Sequence, residues 1–377
     1  MSTRADVAGA HRVVVKVGSS SLTTLADGLD TERLRALVDV LAALRADGRE
    51  VVLVSSGAIA AGLAPLGLTG KPRDLATAQA AASVGQLRLV QTYADAFAAH
   101  GVTVGQVLLT ADDLTRRGHY RNARQTVDRL LALGVLPIVN ENDTVATEEI
   151  RFGDNDRLAA MVAHLAVADA LVLLSDVDGV HDGDPRTGPT QRIDTVHTAV
   201  DLAAVALGSA SRNGVGTGGM ATKVEAALIA ADAGVPVVVT STPQAGAALA
   251  GEPVGTLFAA HGRRPSARQF WLRYATRPRG RVLLDAGAVT AVVERGASLL
   301  AAGITGVVGD FLADDPVELA GPDGVVVARG LVSYDARELP AVLGHKTADL
   351  DPEHRREVVH RDEMVLVRAR LSTDPIA

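Results

Sequence analysis

The chain has 377 residues, about two and a half times a common domain length, which points to two domains. With 47% hydrophobic and 21% charged residues, a net charge of −7 and no cysteine, it is globular rather than disordered. Disulfides, thiolate metal sites and cysteine nucleophiles are excluded, and a broad polyanion-binding surface is not expected. No apolar run approaches the ~20 residues of a membrane span, and Met1 to His11 lacks the apolar core of a secretory signal, so the expected setting is cytoplasmic, with no membrane partner.

Strand-like runs fall at Arg12–Val17, Glu50–Val54, Val102–Leu109, Val135–Val139, Ala170–Leu174 and Val235–Val239. Helical patterns separate them at Glu32–Ala46, Leu75–Ala99, Arg121–Leu133, Asn155–Ala166 and Met220–Ala233. This alternation predicts an open, mainly parallel α/β sheet with helices on both faces. Gly48, Gly101, Gly134 and Gly234 follow four of these helices as stop signals. The pattern changes after Gly262. Arg263 to Arg281 holds seven arginines, no acidic residue, and Phe270, Trp271 and Tyr274. Short β-like segments follow at Arg281–Leu284, Thr290–Val293, Gly306–Val308, Val325–Val327 and Met364–Val367. The expected layout is a first domain over 1–262, a linker and first edge strand over 263–280, and a small β-rich domain over 281–370.

In open parallel sheets, ligands bind beyond the carboxyl ends of the strands. Those ends are polar here. The first strand ends in Lys16-Val17-Gly18-Ser19-Ser20, and the second in Ser55-Ser56-Gly57. Asn140-Glu141-Asn142-Asp143 follows Val135–Val139, and Gly153-Asp154-Asn155-Asp156 opens the next helix. Ser175-Asp176 ends the strand after that, and Gly214 to Gly219 leads into the helix carrying Lys223. A glycine loop running into a helix suits phosphate, because bare backbone approaches closely and free N–H groups point at the anion. Only four lysines occur, Lys16, Lys71, Lys223 and Lys346, and two of them lie at such loops. Two loops with a lysine each suit a polyphosphate, and phosphoryl transfer asks mainly for charge stabilisation and positioning.

Other motifs lead elsewhere or nowhere. Gly214, Gly216 and Gly219 match G-x-G-x-x-G, but the polar Ser209–Asn213 precedes them instead of a strand, so a dinucleotide site is not indicated. No Walker A loop occurs. Asp176-Val177-Asp178-Gly179 resembles half a calcium loop without the later glutamate. His164 and His181 are scattered histidines, and no direct protein ligand for a metal is predicted.

The segments Val13–Ser20, Ser55–Gly62, Asn140–Asp143, Gly153–Asp156 and Gly216–Lys223 together resemble the glutamate 5-kinase family of the amino acid kinase superfamily, many members of which carry a C-terminal PUA domain. The resemblance spans nearly the whole chain. It implies the amino acid kinase fold plus a PUA-like β domain, and ATP-dependent phosphorylation of the L-glutamate side-chain carboxylate for proline synthesis. It also implies Mg²⁺, a homo-oligomer (dimer or tetramer) and feedback inhibition by proline. Lys16 and Lys223 would lie on the phosphates, with Asp156 as the third catalytic residue. Ser56, Gly57, Asn140, Asp143, Asp154 and Asn155 would bind glutamate. Gly18, Ser19, Ser175, Asp176, Thr217, Gly218, Gly219, Met220, Ala221 and Thr222, with both lysines, would bind the nucleotide.

The chemistry agrees. A glutamate carboxylate is already a nucleophile at neutral pH, so the obstacle is repulsion between two anions. Two lysines and Mg²⁺ would spread that charge, Asp156 would hold the lysines in position, and Asp143 would receive the substrate ammonium. Acetylglutamate or aspartate as acceptor remains an alternative. So does an RNA-binding protein acting through Arg263–Arg281, although Arg263–Ala377 balances 16 basic against 16 acidic residues. A phosphate-dependent sensor without turnover is the third.

Overall fold

Val13–Val15, Val51–Val54 and Ala170–Leu174 are unbroken apolar runs, as strands covered on both faces require. Each lies in a strand of the computed structural model, which describes residues 2–24, 28–70, 72–145, 155–184, 188–202, 205, 219–260, 264–275 and 278–367. The chain forms two units, Met1–Arg264 and Pro265–Ala377.

The first unit is built on eight strands: β1 (Arg12–Val17), β2 (Glu50–Ser55), β3 (Val104–Leu109), β4 (Leu136–Glu141), β5 (Ala170–Ser175), β6 (Thr195–Val196), β7 (Val237–Ser241) and β8 (Thr256–Phe258). Its main helices are α1 (Thr31–Ala46), α2 (Ala58–Leu63), α3 (Leu75–Ala98), α4 (Arg117–Ala132), α5 (Asn155–Leu165) and α6 (Met220–Asp232). The sheet order is β3-β4-β2-β1-β5-β7-β8-β6. All pairings are parallel except β7 with β8. The chain lays β2, β3 and β4 on one side of β1 and then crosses to β5 on the other. β1 therefore sits where the strand order reverses, the place where such sheets open a crevice. Gly48, Gly101, Gly134 and Gly234 all have positive φ, as helix stops should.

Alternation along each strand decides which side chains meet which helices. Val13, Val15 and Val17 of β1, with Leu53 of β2 and Ile138 of β4, bury against Leu34, Leu37 and Leu41 of α1 and Leu89, Tyr93 and Phe97 of α3. Val14 and Lys16 point to the opposite face, where α5 packs on β1. Helix α5 is buried at Asp156 and from Leu158 to Leu165.

Two glycines set the height of α2 against α3. A Cβ on Gly62 would stand 1.9 Å from the carbonyl oxygen of Ala81, and one on Gly85 would stand 1.8 Å from that of Ala58. The two backbones touch, which fixes the loop that joins β2 to α2. Gly57 in that loop has φ +100°, a left-handed conformation open mainly to glycine.

The second unit holds a five-stranded sheet of β9 (Gly280–Leu284), β10 (Ile304–Gly309), β11 (Pro316–Ala320), β12 (Val326–Leu331) and β13 (Met364–Leu366) in the order β10-β9-β11-β12-β13. It has its own core, including Val282, Leu284, Val317, Leu319 and Tyr334.

Three expectations need correction. Thr290–Val293 is not a strand but the end of helix α7 (Ala286–Val293). Asp285 caps that helix by accepting from Ala288 N–H at 2.6 Å, and the cap outweighs the β-branched residues downstream. The arginine-rich stretch is not a linker running into an edge strand. It contains a helical turn, Ala267–Phe270, capped by Ser266 and Gln269, and a wider turn, Trp271–Ala275. The strand that follows, β9, lies inside the sheet between β10 and β11. Strand β11 was not among the expected segments; its Pro316 sits at the first position, where a strand tolerates proline. Asn140 and Glu141, expected beyond a strand, complete β4 by pairing with Leu108 and Leu109 of β3.

The close approach of α2 and α3 yields a test. Gly85→Ala should lower stability by roughly 1–3 kcal/mol by forcing the helices apart, a fall in melting temperature of roughly 2–10 °C for a unit of this size. Gly70→Ala, where nothing lies within 4 Å of the added carbon, should leave it unchanged. Thermal unfolding followed by circular dichroism separates the two, and equal melting points would refute the account.

Candidate active site

The carboxyl ends of β1, β2, β4 and β5 line one edge. Register puts Val17 of β1 opposite Ser55 of β2 and Leu174 of β5, next to Ser175. Above this edge stand the N-termini of α2, α5 and α6.

Asp156, in the first turn of α5, is fully buried. One carboxylate oxygen lies 2.5 Å from Lys16 Nζ, and the other accepts a 2.9 Å hydrogen bond from Lys223 Nζ. Lys16 is 2% exposed and Lys223 8%. Lys16 reaches Asp156 because strand alternation turns it to the α5 face. Lys223 reaches it from the first turn of α6, which Gly219 and Thr222 cap: Gly219 N–H donates to Thr222 Oγ1 at 3.1 Å, and Thr222 Oγ1 donates to Gly219 O at 2.8 Å. Burial alone would push the Asp156 carboxyl up. The two lysines outweigh it and hold the group at about 2, below its ordinary 3.8. Two ammonium groups gathered on one carboxylate in a dry place suit an anion.

The residue before Asp156 starts a second cluster. Asn155 Nδ2 donates to Ser56 Oγ at 2.8 Å, Asn140 Oδ1 at 2.9 Å and Ser55 O at 3.0 Å. Asn140 Oδ1 also accepts from Glu141 N–H at 2.9 Å, and Asn140 Nδ2 donates to Gln86 Oε1 of α3 at 2.6 Å. Ser55 Oγ and Tyr93 Oη of α3 share a 3.1 Å hydrogen bond.

The structure thus brings Lys16, Asp156 and Lys223 together, and Ser56, Asn140 and Asn155 together, with adjacent residues of α5 joining the sets. Gly18 lies close to Lys16, since a Cβ there would stand 3.7 Å from Lys16 Nζ. Ser19 lies beside Gly57, whose added Cβ would be 3.7 Å from Ser19 Cα. Ser175 Oγ donates to the exposed Asp176 at 3.1 Å, and Ser175 O accepts from Thr242 Oγ1 at 3.3 Å. Met220 and Ala221 open α6. Asp143 is half-buried in the turn just past β4. Asp154, Thr217 and Gly218 lie outside the described residues. Sequence reading missed Gln86 and Tyr93, which stand two turns apart on an alanine-rich helix with no local motif to mark them. Among the described residues no group of histidine and carboxylate side chains could hold a metal ion, and no helix is long and apolar enough to cross a membrane.

Two buried lysines joined on one carboxylate, at the carboxyl edge of a mainly parallel sheet, suit the phosphates of a phosphotransferase substrate. Residues 11–241 match the amino acid kinase family, and residues 280–353 match the PUA domain. The fold is similar to that of a carbamate kinase from Giardia lamblia bound to AMP-PNP, with a TM-score of 0.51 and 17% identity over 67% of this chain and all of that one. Much nearer in sequence are glutamate 5-kinases. That of Salinispora arenicola is 64% identical over 97% of this chain and all of its own length. That of Streptomyces avermitilis is 62% identical over 97% and 99%, and that of Thermobifida fusca 60% over 99% and 97%. The chain belongs to the amino acid kinase family and, within it, to the glutamate 5-kinases.

The buried triad predicts a pH signature. Because the Asp156 carboxyl is held below its ordinary value, its charge contributes stability that is complete above pH 3.8 and is lost as pH falls toward about 2. Asp156→Asn should remove that acid-side loss. It should also lower stability at neutral pH by roughly 3–5 kcal/mol, since two buried ammonium groups lose their counter-charge. Urea unfolding at pH 7 and acid titration of both proteins would show it. A variant as stable as wild type at pH 7 would contradict the assignment.

Proposed function

We propose that the protein transfers the γ-phosphoryl group of ATP to the side-chain carboxylate of L-glutamate, giving glutamyl 5-phosphate and ADP, the first step of proline biosynthesis. The observation that carries this reading is Asp156 joining Lys16 and Lys223, with Asn155 joining the same helix turn to a second polar cluster. The first set suits phosphates and the second suits a small polar acceptor.

A carboxylate oxygen of glutamate attacks the γ-phosphorus, a new O–P bond forms, and the bond to the β-phosphate oxygen breaks with its electron pair leaving on ADP. No proton has to move, because the acceptor is ionised at neutral pH. What the protein supplies is position and positive charge. Lys16 and Lys223 face the charge that builds on the transferring group. Asp156 keeps both ammonium groups aimed at one point and prevents their mutual repulsion from spreading them. Gly18, Ser19 and the start of α6, Gly219 to Lys223 with Thr217 and Gly218 before it, take the phosphates. Ser175 and Asp176 take the rest of the nucleotide. Ser56, Gly57, Asn140, Asp143, Asp154 and Asn155 hold glutamate, with Asp143 on its ammonium. Mg²⁺ fits as a companion of the ATP phosphates, whose charge it neutralises, because both Asp156 oxygens already face lysines.

Residues 1–262 carry this chemistry in our reading, with 263–280 leading to the PUA-like domain at 281–370. A cytoplasmic homo-oligomer, dimer or tetramer, restrained by proline as the pathway's end product, is part of the same proposal, since supply of a biosynthetic precursor is sensibly limited at its first step.

ADP release measured with glutamate, acetylglutamate and aspartate tests the acceptor: glutamate should be preferred, and ADP release that no acceptor stimulates would overturn the reading. In the same assay Lys223→Ala should lower kcat by ~10²–10³ while moving the glutamate KM little, because its contact strengthens as charge develops. Near wild-type turnover would reduce Lys223 to a structural lysine.

A further inference from the structure

Gln86 is 8% exposed and sits on α3, on the face of the sheet opposite α5. Even-numbered positions of β4 face α3, since Leu136 and Ile138 bury in the α1–α3 core, so Asn140 points the same way. The 2.6 Å bond from Asn140 Nδ2 to Gln86 Oε1 therefore ties α3 to the end of β4. Asn140 Oδ1 in turn meets Asn155 at the start of α5. A chain of three amides passes over the sheet edge from the helices of one face to those of the other.

The polarity of that chain is set. Glu141 N–H can only donate, so Asn140 must offer it an oxygen. Asn140 then turns its NH₂ to Gln86, which must accept. At the other end, Ser55 O can only accept, so Asn155 offers it the NH₂ group. Both hydrogens of Asn155 Nδ2 are thereby taken up among three acceptors on the protein. Its Oδ1 is buried and has no hydrogen-bond partner among the described residues. A buried carbonyl oxygen left over is costly unless a ligand donates to it. An ammonium group brings three N–H donors and would satisfy it together with Asp143.

We infer that Gln86 is a positioning residue for the amino-acid substrate. It anchors Asn140, and through it Asn155, in the place where the polarity set by the backbone leaves the Asn155 carbonyl oxygen for a free α-ammonium group. Glu141 N–H and Ser55 O, both backbone, fix the chain's polarity, and Gln86 is the side chain that ties Asn140 to α3. This inference rests on the proposed glutamate kinase activity and adds to it a group that never touches substrate.

The test uses the full chain with Gln86→Met, which keeps the length and loses the acceptor, and Gln86→Glu, which keeps an acceptor oxygen. Steady-state kinetics are run with glutamate and ATP varied in turn, and thermal unfolding is followed alongside. Gln86→Met should raise the glutamate KM roughly tenfold, the worth of one buried hydrogen bond, with kcat and the ATP KM within about threefold of wild type. Gln86→Glu should restore the glutamate KM to within about threefold. A folded Gln86→Met with wild-type glutamate KM overturns the inference, and so does a rise in both Michaelis constants together. If Gln86→Met does not fold, Gln86→Glu decides alone: a tenfold rise in its glutamate KM is the refuting result. Wild type inactive with glutamate would sink the parent reading instead, and the same ratios would then be taken with whichever amino-acid acceptor is turned over.

Discussion

A carboxylate buried between two lysines organises this protein. Asp156 has no exposure to solvent, and removing such a charge from water is costly unless its partners come with it. Lys16 comes from the central strand and Lys223 from a helix 67 residues further on than Asp156. The three fall together only when β1, α5 and α6 are packed, so the site and the fold form in one event. In the proposed reaction the two gathered ammonium groups receive phosphate, which gives the cluster a use beyond packing.

The second constraint is geometric. The loop after β2 carries Ser56 and Gly57, and its position depends on α2 lying against α3 with no side chains between them at Gly62 and Gly85. Residue 86, next to one of these glycines, reaches β4. One turn of α3 therefore sets both the β2 loop and the Asn140 amide. A site on strand ends gains its precision this way: the strands give register, and the helices above them fix the loops.

Asn155 and Asp156 are neighbours in sequence with different duties. Asp156 turns into the protein toward the lysines. Asn155 spans Ser55, Ser56 and Asn140 at the strand ends. Placing both at the first turn of one helix keeps the two clusters at a fixed separation, which the proposed in-line transfer between two anions requires.

The amino-acid sequence by itself determined the alternating strands and helices, because their apolar periods differ and glycine marks the helix ends. It also marked Lys16, Lys223 and the Asn/Asp clusters, since rare residue types beside glycine loops stand out locally. It misjudged Thr290–Val293, where a capping aspartate prevailed over β-branched residues, and the arginine-rich stretch, whose turn rests on Ser266 and Gln269. Only the tertiary structure decided that each Asp156 oxygen takes one lysine, that Gly62 and Gly85 bring two backbones into contact, and that Gln86 bonds to Asn140. Those relations link residues dozens of positions apart across a sheet, and no local spacing encodes which side chains parallel register and strand alternation will turn toward one another.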